Sequence, residues 1–219
     1  MRKIILIIIA ICSAYIYAYS QDANFQDIYE KMKEKYSSMY PRKFEAYIDG
    51  KIVQRQIDTI PAKSYTKTKE DIKLRFTFEK GYKPTMILEN VDSFYRNMFS
   101  VFEGALETVG FYTLVGNNNT YDSISKKFTF ESIEDKKDEY KITLRAKGEN
   151  ENYSVTYIVN KDTYIIERAE YYNKKSKMYD VNILYEEVED YTLPKTIKYK
   201  SSDGKVNSEI EFVDIKTYK

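Results

Sequence analysis

Ile72-Lys73-Leu74-Arg75-Phe76-Thr77-Phe78-Glu79 alternates an apolar side chain with a polar one over eight residues. Successive side chains of a strand point to opposite faces, so a period of two predicts a strand with one face buried and the other wet. The same beat returns downstream in Tyr140, Ile142, Leu144 and Ala146, and in Tyr153, Val155, Tyr157 and Val159. It recurs in Tyr179, Val181, Ile183 and Tyr185, around Ile197 and Tyr199, and last in Ile210 and Phe212. Turn signals fall between these runs: Asp49-Gly50, Lys80-Gly81, Gly148 with Asn150, Asn160-Lys161-Asp162 and Asp203-Gly204. Half-wet strands so closely spaced predict an antiparallel meander rather than crossover units. The chain of 219 residues has no linker-like stretch, which predicts one domain.

Two segments carry a helical period instead. Phe25, Ile28, Tyr29, Met32, Tyr36, Met39 and Tyr40 recur at intervals of three and four, between a cap at Asp22 or Asn24 and the stop at Pro41. The opposite face, with Lys31, Lys33, Glu34 and Lys35, belongs in water. A second helix is expected from Asp92 or Ser93 to near Gly110. Its apolar residues occupy more than one face, so it is either buried on most sides or covers an apolar hollow.

The N-terminus reads as an export signal, residues 1–20. Arg2 and Lys3 precede the apolar run Ile4–Ile11, and Ala18-Tyr19-Ser20 puts small residues at −3 and −1 of a cut before Gln21. The run Ile4–Tyr19 falls short of the roughly 18–20 residues that span a bilayer. Cys12, the one cysteine, follows Ile11, where lipid-modified bacterial proteins place Gly, Ala or Ser. Cleavage near Gln21 is therefore expected over a lipid anchor at Cys12. The mature chain, 21–219, then has no cysteine and depends on its core without disulfides.

Composition excludes several functions. Thirty-five Lys and Arg against 34 Asp and Glu leave a net charge of +1, without the basic surplus that a nucleic-acid binder uses to displace counterions. A 42% hydrophobic and 16% aromatic content supports a sizeable core and argues against disorder. With no His, and no Cys after the signal, there is no Ser-His-Asp or Cys-His system and no imidazole or thiolate metal site. No P-loop or G-x-G-x-x-G occurs. Carboxylates remain, but Glu131, Glu134, Asp135, Asp138 and Glu139 sit among lysines like a hairpin tip. Glu186, Glu187, Glu189 and Asp190 read as a strand end with a polar turn. No enzyme activity, cofactor or metal is expected.

The C-terminal third carries a further signal. Val159-Asn160-Lys161-Asp162-Thr163-Tyr164-Ile165-Ile166 is followed by Glu170-Tyr171-Tyr172 and then by Tyr191-Thr192-Leu193-Pro194-Lys195-Thr196-Ile197. Ser202-Asp203-Gly204-Lys205 and Glu211-Phe212-Val213-Asp214-Ile215 complete it. This order resembles the LolA/LolB-like, outer-membrane lipoprotein-sorting superfamily of periplasmic proteins. The resemblance implies an α+β domain: a strongly curved, half-closed antiparallel sheet (a half-barrel), covered by helices that enclose an apolar cavity for acyl chains. It also implies a periplasmic carrier, a monomer, working between membrane-bound donor and acceptor proteins. Family carriers place an arginine on the inner face to hold the lid. Arg55 and Arg75 are the candidates by position, but Arg75 falls on the polar side of its strand.

On that frame Ile72, Leu74, Phe76, Phe78, Met86 and Leu88 line the sheet side of the hollow. Phe94, Met98, Phe102 and Leu106 line its cover. Met and Phe adapt to variable apolar ligands, and each buried acyl CH₂ contributes about 0.8 kcal/mol. The same residues also suit a core filled by its own side chains. The alternative reading is accordingly an envelope interaction or sensor module, using the outer face of the sheet or the tyrosines around Tyr171, Tyr172 and Tyr179.

Overall fold

The computed structural model describes residues 25–99, 106 and 120–219. The export segment with Cys12, the residue Phe102 and most of the expected second helix lie outside them. Helix α1 (25–39) leads into strand β1 (Lys43–Asp49), helix α2 (Lys51–Ile57), and strands β2 (Lys73–Glu79) and β3 (Thr85–Glu89). Helix α3 (Tyr121–Lys127) opens the second half. It is followed by β4 (Phe128–Asp135), β5 (Glu139–Ala146), β6 (Tyr153–Asn160) and β7 (Ile166–Asn173), then β8 (Ser176–Val188), β9 (Tyr191–Ser201) and β10 (Asn207–Tyr218).

All ten strands form one antiparallel sheet in the order β3-β2-β1-β10-β9-β8-β7-β6-β5-β4. The run from β4 to β10 is an unbroken meander, and β1 joins it to the β1–β3 meander by pairing with β10. The sheet is curved and open, with β3 and β4 as its two edges.

The alternation in β2 decides which face is inside. Leu74, Phe76 and Phe78 are buried, Lys73 is exposed, and Arg75 and Thr77 are half-exposed. Register then fixes the neighbours: Phe44, Ala46 and Ile48 of β1 stand opposite Phe78, Phe76 and Leu74, while Met86 and Leu88 of β3 stand opposite Phe76 and Leu74. Across β10 the same face continues through Phe212 and Ile210 to Ile197, Ile183 and Val181. Helix α1 lays its stripe on this concave face, and Phe25, Ile28, Tyr29, Met32, Tyr36, Met39 and Tyr40 are all buried. Tyr40 packs edge-on against Phe78 at 5.5 Å between ring centres, and Phe25 stacks on Phe130 of the far strand β4.

A ring of three hydrogen bonds locks α1 to the sheet. The Ile166 N–H donates to Tyr36 Oη (3.0 Å), and the Tyr185 hydroxyl donates to the Ile166 carbonyl (3.0 Å). That leaves the Tyr36 hydroxyl to donate to Tyr185 Oη (3.2 Å). Burial, then the neighbouring Tyr36, pushes the Tyr185 phenol well above its ordinary range. Tyr185→Phe is expected to destabilise the fold by about 1–3 kcal/mol, because the Ile166 carbonyl loses its partner. In urea unfolding, Tyr36→Phe with Tyr185→Phe should lose less than the sum of the two, since either one opens the ring. The raised phenol also gives a sign: its contribution is complete below the unfolded value near 10 and is lost as the pH rises past it. Stability of the Tyr185→Phe variant should therefore fall less steeply at alkaline pH than that of the parent.

One expectation fails. Residues 93–99 form successive turns, not the start of an α-helix. Their bonds are of the tighter kind, Tyr95 N–H to the Asp92 carbonyl and Met98 N–H to the Tyr95 carbonyl. The Arg96 carbonyl, which an α-helix would use four residues on, instead takes the Leu88 N–H and covers part of the β3 edge.

Candidate functional site

The concave face is packed under α1 and hollow beyond it. Ile48, Leu74 and Met86 from β1–β3 face Tyr179, Tyr199 and Ile210 from β8–β10 across a partly open cavity of about 410 Å³. Ile52 and Val53 of α2 wall one side, Phe99 and Leu106 another, and Val206 and Ser208 come from the β9–β10 hairpin and the start of β10. Among the described residues, two phenols and one serine hydroxyl are the polar side-chain groups of this lining. No carboxylate, ammonium or guanidinium belongs to it among the described residues. A hollow so lined excludes water readily and matches the size of pockets that bury small apolar ligands, roughly 300–1,000 Å³.

Local sequence explains the α2 wall. Gly50 leaves β1 with φ 134° and ψ 161°, a conformation open to glycine alone, and the chain enters α2 at once. The Asp49 carboxylate accepts the Gly50 N–H (2.6 Å) and the Gln54 side-chain amide (2.9 Å), which steadies the first turn. Val53 and Ile57 then face inward and are buried.

The ten residues expected to line the hollow separate into groups. Leu74, Met86 and Leu106 border the cavity. Ile72 borders a smaller hollow of about 230 Å³ beside it, with Ile57 and Val213. Phe76 and Phe78 are fully buried in the aromatic cluster with Phe44, Phe212 and Tyr40, away from open space. Leu88 is buried and borders a polar cleft on the convex side, and Met98 is half-buried. Phe94 corrects its expectation: it is 85% exposed, because the turn geometry of 93–99 aims it outward against Tyr95. Phe102 lies outside the described residues.

Cavity residues that the sequence does not assign to the hollow are Ile48, Ile52, Val53, Phe99, Tyr179, Tyr199, Val206, Ser208 and Ile210; the alternative reading places Tyr179 with the tyrosines of its interaction surface. The missed signal for α2 is the pair Ile52-Val53 followed by Ile57 straight after Asp49-Gly50. Neither candidate arginine lines the cavity. Arg55 is exposed on α2, and Arg75 sits on the convex face with its Nε 3.0 Å from Glu89.

The acidic clusters are solvated pairs. Glu131 bonds Arg145, Glu134 pairs with Lys136 and Asp135 with Lys161, all around the β4–β5 hairpin. Among the described residues no three carboxylates, cysteines or histidines come together to hold a metal, and no helix is long and apolar enough to cross a membrane.

No protein-family model matches the chain, and no curated protein does. Solved structures do. An outer membrane lipoprotein-sorting protein domain from Vibrio parahaemolyticus superposes with a TM-score of 0.53 at 12% identity, over 87% of this chain and 91% of that one. A LolA superfamily protein from Nitrosomonas europaea gives a TM-score of 0.49 at 13% identity, over 89% and 93%.

Proposed function

Starting from a LolA-like fold, we propose that the chain is an exported, non-enzymatic carrier that takes up acyl chains of a lipid or lipoprotein in its concave-face cavity. Residues 1–20 would direct it to the periplasm, and residues 21–219 would form the binding domain. The observation that carries the reading is the roughly 410 Å³ hollow with an almost wholly apolar lining, left open on a concave face that is packed by its own side chains under α1. Binding there is desolvation, worth about 0.8 kcal/mol per CH₂, so affinity should rise with chain length and respond weakly to salt. The absence of charged groups from the described lining suits a carrier, which must release its ligand unchanged.

The packed half of the same face, under α1, is what favours the second reading, an envelope interaction or sensor module. One substitution separates the two. Val53→Phe adds bulk at the cavity wall. In a vacant hollow it should leave the melting temperature unchanged or raised, and weaken a fluorescent fatty-acid probe at least about tenfold, or about 1.4 kcal/mol. In a filled core the extra atoms should destabilise by about 1–3 kcal/mol. Mass spectrometry of protein purified from its native host should find a co-purified lipid. A lipid-free preparation that also fails to bind the probe would sink the carrier reading.

A further inference from the structure

Behind the cavity, on the convex side of β1–β3, lies a second recess of different chemistry. It measures about 640 Å³ and is lined by Lys67, Lys73, Arg75 and Arg96 with Asp71 and Glu89, and by Tyr47 and Asn90. Among the described residues its four cations against two carboxylates leave a surplus of two positive charges, in a chain whose net charge is +1.

The carboxylates are already engaged. Asp71 accepts both the Thr68 N–H (3.2 Å) and hydroxyl (2.8 Å), which hold its carboxyl below the usual range. Glu89 takes the Arg75 Nε at 3.0 Å and the Tyr47 hydroxyl at 3.4 Å. Of the cations, Arg75 alone has a carboxylate partner among the described residues. Lys73 lies over the Tyr47 ring at 4.9 Å, and neither it, Lys67 nor Arg96 is ion-paired to a carboxylate among the described residues. The Arg75 Nε is buried, and despite its nearness to Glu89 its N–H is not aligned to make a hydrogen bond.

Two arginine forks and two ammonium groups around one recess suit an oxyanion, and guanidinium geometry matches phosphate bidentately. The surplus decides which oxyanion. A carboxylate would neutralise one of the two spare charges, whereas a phosphate monoester carries about −1.5 to −2 at neutral pH and matches both.

We propose that this convex cleft is a binding site for a phosphate monoester, held by Lys67, Lys73, Arg75 and Arg96. The site is separate from the apolar cavity: Leu74 and Met86 line the cavity from one face of the sheet, while Lys73 and Arg75 line the cleft from the other. Its failure would leave the carrier reading untouched. A phosphate monoester can come from a soluble ester or from a lipid headgroup, and the test distinguishes the two.

Calorimetric titration of the purified chain at low ionic strength should register binding of inorganic phosphate and of glycerol 3-phosphate. Lys67 and Arg96 are exposed, so Lys67→Ala/Arg96→Ala should melt as the parent does and bind at least about tenfold more weakly. Glu89→Gln frees Arg75 and should bind more tightly. Lys205→Ala, at an exposed cation outside the cleft lining and paired with Asp203, should change nothing. Flotation with phosphatidylcholine vesicles, with and without phosphatidic acid, identifies the source. Capture that needs both phosphatidic acid and the Lys67–Arg96 pair assigns a headgroup, and binding of the soluble esters alone assigns a free ligand. Absence of binding to all three probes, or affinity unchanged in Lys67→Ala/Arg96→Ala, overturns the proposal.

Discussion

Gly50→Ala should be among the most damaging single substitutions in this chain, at about 2–6 kcal/mol, although it adds only one methyl group. Two independent terms combine. With φ at 134° and ψ at 161°, the backbone occupies a region that residues with a Cβ avoid, at about 1–3 kcal/mol. The added Cβ would also lie 2.3 Å from the Glu209 carbonyl oxygen and 3.3 Å from the Ile210 Cα. Both are backbone atoms of β10, where Ile210 is paired with Ile197 of β9, so the strand cannot yield without loosening its ladder. Overpacking of that kind adds about 1–3 kcal/mol. Gly204→Ala is the internal control: its φ is also positive, at 71°, but nothing lies within 4 Å of its Cβ, so only the smaller conformational penalty applies. Urea unfolding of the two variants should separate them by at least about 1 kcal/mol. Equal losses would mean that the close approach of Gly50 to β10 carries no energy. Because α2 begins at Gly50 and supplies Ile52 and Val53 to the cavity wall, the acyl-probe affinity of Gly50→Ala should fall together with its stability.

That position also shows where sequence reading stops. Asp49-Gly50 is legible as a turn, but the turn leads into a two-turn helix, too short to display a period and held by contact with β10. Helix α3 escapes for the same reason of length. Strand β4 escapes for another. Phe128 and Phe130 begin an alternation, but the register shift between Phe130 and Ser132 reverses its phase, and the acidic residues that follow read as a hairpin tip. By contrast α1, β2 and β5 announce themselves, because their apolar residues hold one phase from end to end. Strand β1 lies between these cases: Phe44, Ala46 and Ile48 are in phase, but Tyr47 on the wet side blurs the contrast.

The site is legible as a face and not as a hollow. Alternation places Leu74, Phe76 and Phe78 on the same side of β2 and says nothing about which of them has an empty neighbour. That depends on what crosses above: Tyr40 fills the space over Phe78, whereas α2 stands back over Leu74. Strand order matters as much. Tyr179, Tyr199 and Ile210 reach the cavity because β10 pairs with β1, a contact between residues more than 150 positions apart that no local pattern encodes.

This division between a packed and a hollow half makes the effect of Phe78→Ala specific. Phe78 is fully buried, with its ring centre 5.4 Å from Phe44 and 5.5 Å from Tyr40. Truncation to alanine removes those contacts and leaves a cavity that the ladder with β1 keeps from collapsing, a loss of about 3–5 kcal/mol. Val206→Ala, at a rim residue 38% exposed, should stay within about 0.5 kcal/mol of the parent. The informative comparison is with ligand binding. Phe78 does not line the cavity, so at temperatures well below its lowered melting point Phe78→Ala should bind the acyl probe with nearly parental affinity. Val53→Phe should do the reverse, keeping stability and losing affinity. Two variants on one concave face that move stability and binding in opposite combinations would establish that packing and hollow are separate parts of the sheet. If Phe78→Ala weakened probe binding as strongly as Val53→Phe does, while still fully folded, the acyl chain would have to reach beneath α1, and the aromatic cluster would be part of the binding site.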